Sequence, residues 1–235
     1  MSDIHPQRLY LIQVSASEVL LPNGQTLPMV CVCYLVQMND GRNILIDTGM
    51  PKGSANGEDV IGQLAEIDVQ PSDVNVLICT HFDVDHAGNH AAFADAEFVV
   101  QRAHYEHARG DNPRFATVRE QWDRPGVRWR IVDGDTVLLP GLELIETSGH
   151  TLGHQSVLVR LPETGTVLLA IDAVILASRL NPDVQPTPND EDGEALRAST
   201  RKLIELAERE RAVLVVFGHD GTQWRGLRKL PEFYG

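Results

Sequence analysis

Residues Thr80 to His86, Thr-His-Phe-Asp-Val-Asp-His, place four potential metal ligands within six positions: His81, Asp83, Asp85 and His86. Carboxylates and imidazoles this close conflict with one another. Like charges raise each other's pKa, and buried ionised groups need partners. A divalent cation resolves the conflict by binding both group types at once. The flanks put the run in a fold rather than on a loose surface turn. Val74–Cys79 reads as a buried strand with one polar interruption, and Ala87–Ala91 reads as a tight turn entering a helix. Ligand-bearing loops at strand ends are the usual location of chemistry in proteins that mix strands and helices. Three further candidates lie downstream, His150, Asp172 and His219. With the first four they outline a two-metal hydrolytic centre.

Other segments constrain the architecture. Strands are expected at 9–14, 30–36 and 43–47, with turns at Pro22-Asn23-Gly24 and Asn39-Asp40-Gly41. A helix is expected over 56–66 and a short one near 89–94. The polar stretch 104–126 shows little periodicity and is broken by Gly110, Pro113, Pro125 and Gly126, which suggests a lid or substrate loop. Strands follow at 128–132, 136–139, 142–147, 155–161, 167–171 and 213–217. The strongest helix covers 190–210, capped by Asn189 or Asp190. Two facing sheets with helices outside accommodate this order. Cys79 then leads to His81, Ile171 to Asp172 and Phe217 to His219, and the strand 142–147 leads to His150 by a short turn.

The chain of 235 residues can bury one substantial core, so a single domain over 1–235 is expected. A net charge of -13 argues against nucleic acid and against anionic membrane as partners. No stretch is apolar enough to span a bilayer, and Met1–Pro6 lacks the pattern of a secretory signal. Cys31, Cys33 and Cys79 read as buried free thiols, so the expected location is the cytoplasm. No serine sits in a nucleophile elbow. His90, His104 and His107 read as solvated helix or loop residues. His154 reads as structural, Gly88 and Gly149 as tight turns around ligands, and Asp220 as a cap or a brace for His219.

The chain resembles the metallo-beta-lactamase superfamily, and within it the N-acyl-homoserine lactonases that degrade quorum-sensing signals. The resemblance is carried by Leu45–Met50 (LIDTGM), Thr80–Gly88, Thr147–Ser156 (TSGHTLGHQS), Leu169–Ala173 (LAIDA) and Phe217–Asp220 (FGHD). It implies an α+β fold, a four-layer αββα sandwich. It implies two divalent ions, zinc first, with manganese, iron or cobalt also compatible. One ion would be held by His81, His150 and Asp83, the other by Asp85, His86 and His219, with Asp172 bridging. Hydroxide between the ions would open the lactone ring, with Asp85 moving the proton to the leaving oxygen and Asp47 supporting the metal loop. Dimerisation, common in that family, would use the segment around 104–126. Two positions depart from the family pattern. The usual loop is His-x-His-x-Asp-His, but Asp83 stands at its second imidazole. It either adds an oxygen ligand and a negative charge or stops short of the ion. Ile175 stands where such lactonases carry a tyrosine whose hydroxyl holds the lactone carbonyl. These departures keep open hydrolysis of another lactone, ester, thioester or phosphoester, and a non-catalytic metal-bound interaction protein is a third reading.

Overall fold

The structure is a computed structural model that describes residues 4–20, 24–54 and 57–235. One sheet contains β1 (Pro6–Leu20), β2 (Thr26–Met38), β3 (Asn43–Ile46), β4 (Val74–Ile78), β5 (Glu97–Gln101) and β6 (Arg128–Val132), hydrogen-bonded in that order. The other contains β7 (Thr136–Leu139), β8 (Leu142–Glu146), β9 (Gln155–Leu161), β10 (Gly165–Ile171) and β11 (Leu214–Phe217), in the order β11-β10-β9-β8-β7. The period-2 alternation of strand side chains builds the layers. On β2, Val30, Val32, Tyr34 and Val36 face the second sheet, while Cys33 and Leu35 face the opposite way. On β10, Val167, Leu169 and Ile171 join the core between the sheets, while Leu168 and Ala170 face outward.

Both outer faces are covered. The first sheet packs against α1 (Val60–Ala65), α2 (Val84–Ala87), α3 (Arg102–Arg109) and α4 (Arg119–Trp122). The second packs against α5 (Gly193–Arg209) through Leu203 and Leu206. A last short helix, α6 (Gly221–Trp224), follows β11. The result is the expected four-layer αββα sandwich. Among the described residues no helix is long and apolar enough to cross a membrane.

Several expected boundaries move. The first two strands run far beyond 9–14 and 30–36 and pair along their whole length. Pro22 and Asn23 of the expected turn between them, and residue 56 of the expected helix, lie outside the described residues. The segment 104–126 is largely helical rather than an open loop. Phe115, Val118 and Trp122 are buried in the layer over the first sheet, and Trp122 stacks on Phe82 with ring centroids 4.2 Å apart. Short helical turns with few apolar positions do not produce a readable period, which hid them. The cap of α5 is Asp192, whose carboxylate accepts from the backbone N–H of Glu194 and Ala195. Asp190 points elsewhere, as shown below.

Candidate metal centre

The strand ends converge on one edge of the sandwich. Asp47 follows β3, His81 follows β4, Asp172 follows β10 and His219 follows β11; a short turn after β8 brings in His150. At two of these strand ends the backbone bends into the left-handed region, at Asp47 with φ 58° and at Ile171, just before Asp172, with φ 50°. A β-branched residue there is a clear outlier, and such strain, of about 1–3 kcal/mol, persists only where surrounding contacts fix it. At Gly88 the chain passes so close to the 49–51 turn that an added Cβ would lie 2.2 Å from the Pro51 nitrogen.

The side chains form two groups that share Asp172. His81, His150 and Asp172 present ligand atoms within 4.8 Å of one another, and so do His86, Asp172 and His219. His150 Nε2 and His219 Nε2 lie 3.4 and 3.1 Å from Asp172 Oδ2, and His86 Nε2 lies 3.5 Å from Oδ1. Donors bonded to one tetrahedral ion at about 2.0–2.2 Å stand about 3.4 Å apart. Three of these atoms, His81 Nε2, His86 Nε2 and Asp172 Oδ1, are buried without a hydrogen-bond partner. Orphaned buried polar atoms require an explanation, and a divalent ion supplies one for all three. The residues therefore fit a dinuclear metal site.

The imidazoles are aimed from behind. Asp47 accepts from the Thr80 backbone N–H at 2.9 Å, from its hydroxyl at 2.6 Å and from His86 Nδ1 at 2.8 Å. His219 Nδ1 donates to the Val30 carbonyl at 2.8 Å, and His150 Nδ1 to Asp190 Oδ1 at 3.0 Å. In each case the other nitrogen is turned to the centre, the arrangement that fixes tautomer and ring direction in metal sites. Burial alone would lower the pKa of His150, but Asp190 and Asp83 outweigh it and push it up to about 9. Burial works the same way on His86 and His219, and there Asp172 is the main group that overrides it and raises both. Asp172 stays ionised, because His219 and His86 outweigh the effect of its burial.

Asp83 lies where the sequence places it, with Oδ2 3.1 Å from His150 Nε2 and 3.4 Å from His81 Nε2. Its carboxylate is also gripped by Arg114, which sequence reasoning did not single out. A carboxylate in an imidazole's place invites a cation, but nothing in the sequence says which arginine answers from 31 positions away. Asp85 lies on the other side of the centre, with Oδ2 3.8 Å from both His86 Nε2 and His219 Nε2. Cys31 is a second omission. It is only half-buried, and its thiol donates to Asp85 Oδ2 at 3.3 Å.

His90 and His104 correct the expectation of solvated residues, since both are fully buried. His104 Nε2 accepts the Phe82 N–H at 2.9 Å while Nδ1 faces the Leu152 carbonyl at 2.8 Å, so the ring pins the metal loop from beneath. Burial lowers its pKa to about 3 and that of His90, which pairs with Thr48, to about 4. His107 is half-buried and meets Glu191 at 3.0 Å. His154 spends both nitrogens inside the fold, on the Asp172 backbone N–H and the Thr147 hydroxyl. Asp220 caps α6 and accepts from Ala177 N–H.

The centre lies at the base of a cavity of about 710 Å³. Val19, Met29, Val30, Ile175 and Pro188 give it an apolar side, and Asp83, Asp85, Asp172, Asp190 and Glu191 an acidic one. Among the described residues no tyrosine lines it, and Ile175 does.

The model of the metallo-beta-lactamase superfamily matches residues 26–219, and the chain belongs to that superfamily. Within it, an N-acyl homoserine lactonase of a Bacillus species is 32% identical over 246 residues, covering 96% of this chain and 95% of the relative. The N-acyl homoserine lactonase AttM of Rhizobium johnstonii is 31% identical over the full length of both chains. Among solved structures, a quorum-quenching N-acyl homoserine lactone lactonase matches with a TM-score of 0.87 at 29% identity, over 99% of this chain and 100% of that one. An N-acyl homoserine lactone hydrolase with the product N-hexanoyl-L-homoserine at its catalytic metal centre matches with a TM-score of 0.85 at 28% identity, over 98% and 100%.

Replacing Asp47 with Asn tests the support behind His86. Asn keeps the size and tolerates the left-handed backbone, but it no longer offers an acceptor to every donor that Asp47 serves. Metal affinity is expected to fall roughly 10- to 100-fold, measured by competition with a chromophoric chelator. Unchanged affinity would show that the ring is held by packing alone.

Proposed function

We propose that the protein opens the lactone ring of N-acyl homoserine lactones, using two divalent ions, zinc in the first instance. The observation that carries this reading is the pair of His–Asp groups sharing Asp172 at the base of a half-apolar cavity. The lactonases that this chain resembles along nearly its whole length give the substrate class. His81, Asp83 and His150 would hold one ion, Asp85, His86 and His219 the other, and Asp172 both. Ions so placed lower the pKa of water and polarise a carbonyl oxygen.

The remaining work falls to the chain. The apolar wall of Met29, Val30 and Ile175 takes the acyl chain, leaving the ester carbonyl at the acidic base of the cavity. Asp85 is kept ionised, because His86 and His219 outweigh its burial, and it lines the cavity. The carboxylate oxygen not turned to His86 and His219 accepts the proton of the attacking water and returns it to the ring oxygen as the ring opens. The Cys31 thiol holds Asp85 Oδ2 in place. A phosphoester is a poorer fit, since five carboxylates and one arginine line the cavity.

Ile175 bears on the choice between this substrate and another neutral ester. Replacing Ile175 with Tyr restores a hydroxyl donor at the cavity wall, and kcat/KM for acyl-homoserine lactones is expected to rise about 5- to 10-fold, the worth of one hydrogen bond. A loss with the lactones, beside retained turnover of simple aryl esters, would show that the pocket is shaped for a different acyl ester.

A further inference from the structure

Among the described residues, Arg114 is the only arginine or lysine lining the cavity. It sits in the first turn of a 3-10 helix, Pro113–Val118, where Asn112 caps its backbone N–H. Its Nε donates to Asp83 Oδ1 at 2.6 Å and its Nη2 to Asp83 Oδ2 at 2.5 Å. Nη1 donates to the carbonyls of His150 and Asn189 at 3.2 and 2.7 Å, and Nη2 also lies 2.8 Å from His150 Nε2. Of the five N–H donors of a guanidinium, four go to Asp83 and the two carbonyls, and the fifth faces His150 Nε2, the nitrogen offered to the ion. Both oxygens of Asp83 are held, and what Arg114 acts on is Asp83.

A carboxylate without a cationic partner among the ligands of an ion neutralises part of the ion's charge and weakens its pull on a carbonyl. The fork of Arg114 returns that charge. We propose that Asp83 and Arg114 form one unit equal in charge to a neutral imidazole, with Arg114 the positioning residue that sets how tightly the first ion is held and how strongly it polarises. This rests on the reading of Asp83 as a ligand of that ion. The unit accounts for a carboxylate at a ligand position without an added negative charge there. It also separates two quantities that ordinarily move together, since removing Arg114 makes Asp83 a stronger ligand and the ion a weaker Lewis acid.

Four proteins test it, loaded with zinc: the natural chain, Arg114→Met, Asp83→His and the double variant. Ions per chain are counted during chelator titration, and kcat is measured at full metal complement. Arg114→Met is expected to hold the first ion about 10-fold more tightly than the natural chain while kcat falls roughly 10- to 100-fold. Asp83→His leaves the guanidinium unopposed beside the ion, and the first ion is expected to leave at lower chelator concentration. The double variant is neutral again and is expected to hold that ion more tightly than Asp83→His and to turn over faster than either single variant. If Arg114→Met loses the ion more readily than the natural chain, Arg114 is only a tie between loops. The same follows if the double variant retains metal no better than Asp83→His. If Arg114→Met fails to fold, Arg114→Gln, which removes the charge but keeps an amide donor for the His150 and Asn189 carbonyls, takes its place in both comparisons. Asp83→Ala retaining both ions at the natural affinity would overturn the ligand assignment itself.

Discussion

Replacing Asp85 with Asn is expected to lower kcat for lactone hydrolysis by about 10²- to 10⁴-fold, the range a positioned general acid–base contributes. Asn keeps the shape of the side chain and one oxygen that can face the second ion and accept from Cys31. What it loses is the ability to take a proton near neutral pH. The carboxylate suits that task in this structure, being ionised, at the cavity wall and 3.8 Å from two imidazoles. Metal content measured on the same sample separates the two roles. With two ions per chain, a large loss in kcat assigns the proton to Asp85. Near-normal turnover in a metal-replete Asp85→Asn protein would give the proton to another group.

Removing the metal should abolish hydrolysis and lower the thermal midpoint by roughly 5–15 °C, the shift for an ion held at 100 to 1,000 times its dissociation constant in a chain of this size. The buried orphaned atoms explain why stability falls with activity. His81 is fully buried, and His86 and Asp172 are 3% and 5% exposed. Without an ion they face one another with no partner for His81 Nε2, His86 Nε2 or Asp172 Oδ1. The neighbouring carboxylates raise the pKa of His86, His150 and His219, so protons compete with a metal for these rings. Ligand imidazoles must give up those protons to bind a metal, so retention should weaken as the pH falls. A midpoint unmoved by chelation, with the ions demonstrably gone, would show that the cluster is satisfied without them.

The candidate ligands could be expected to meet because they stand at strand ends, and strand ends are marked in the sequence by apolar runs followed by polar residues. The layers were legible for the same reason, since alternation on β2 and β10 separates inward from outward residues. What stayed hidden are the relations between distant positions. Asp83 announced a departure, but its partner Arg114 comes from a helical turn too short to show a period. Asp190 read as a helix cap, and only the fold shows its carboxylate turned to His150 while Asp192, two positions on, caps α5. His104 sits in a polar-looking stretch, yet burial and two hydrogen bonds make it a prop for the metal loop. Cys31 passed as one more apolar strand residue because its sequence neighbours say nothing about the cavity that forms beside it.

The measurement that bears most directly on the central claim is hydrolysis of short- and long-chain acyl-homoserine lactones by the purified protein, with metal content determined on the same sample. Two ions per chain and efficient ring opening are the expected result. A full complement of two ions with no turnover of any acyl-homoserine lactone would contradict the lactonase reading, leaving a dinuclear hydrolase whose substrate is another ester.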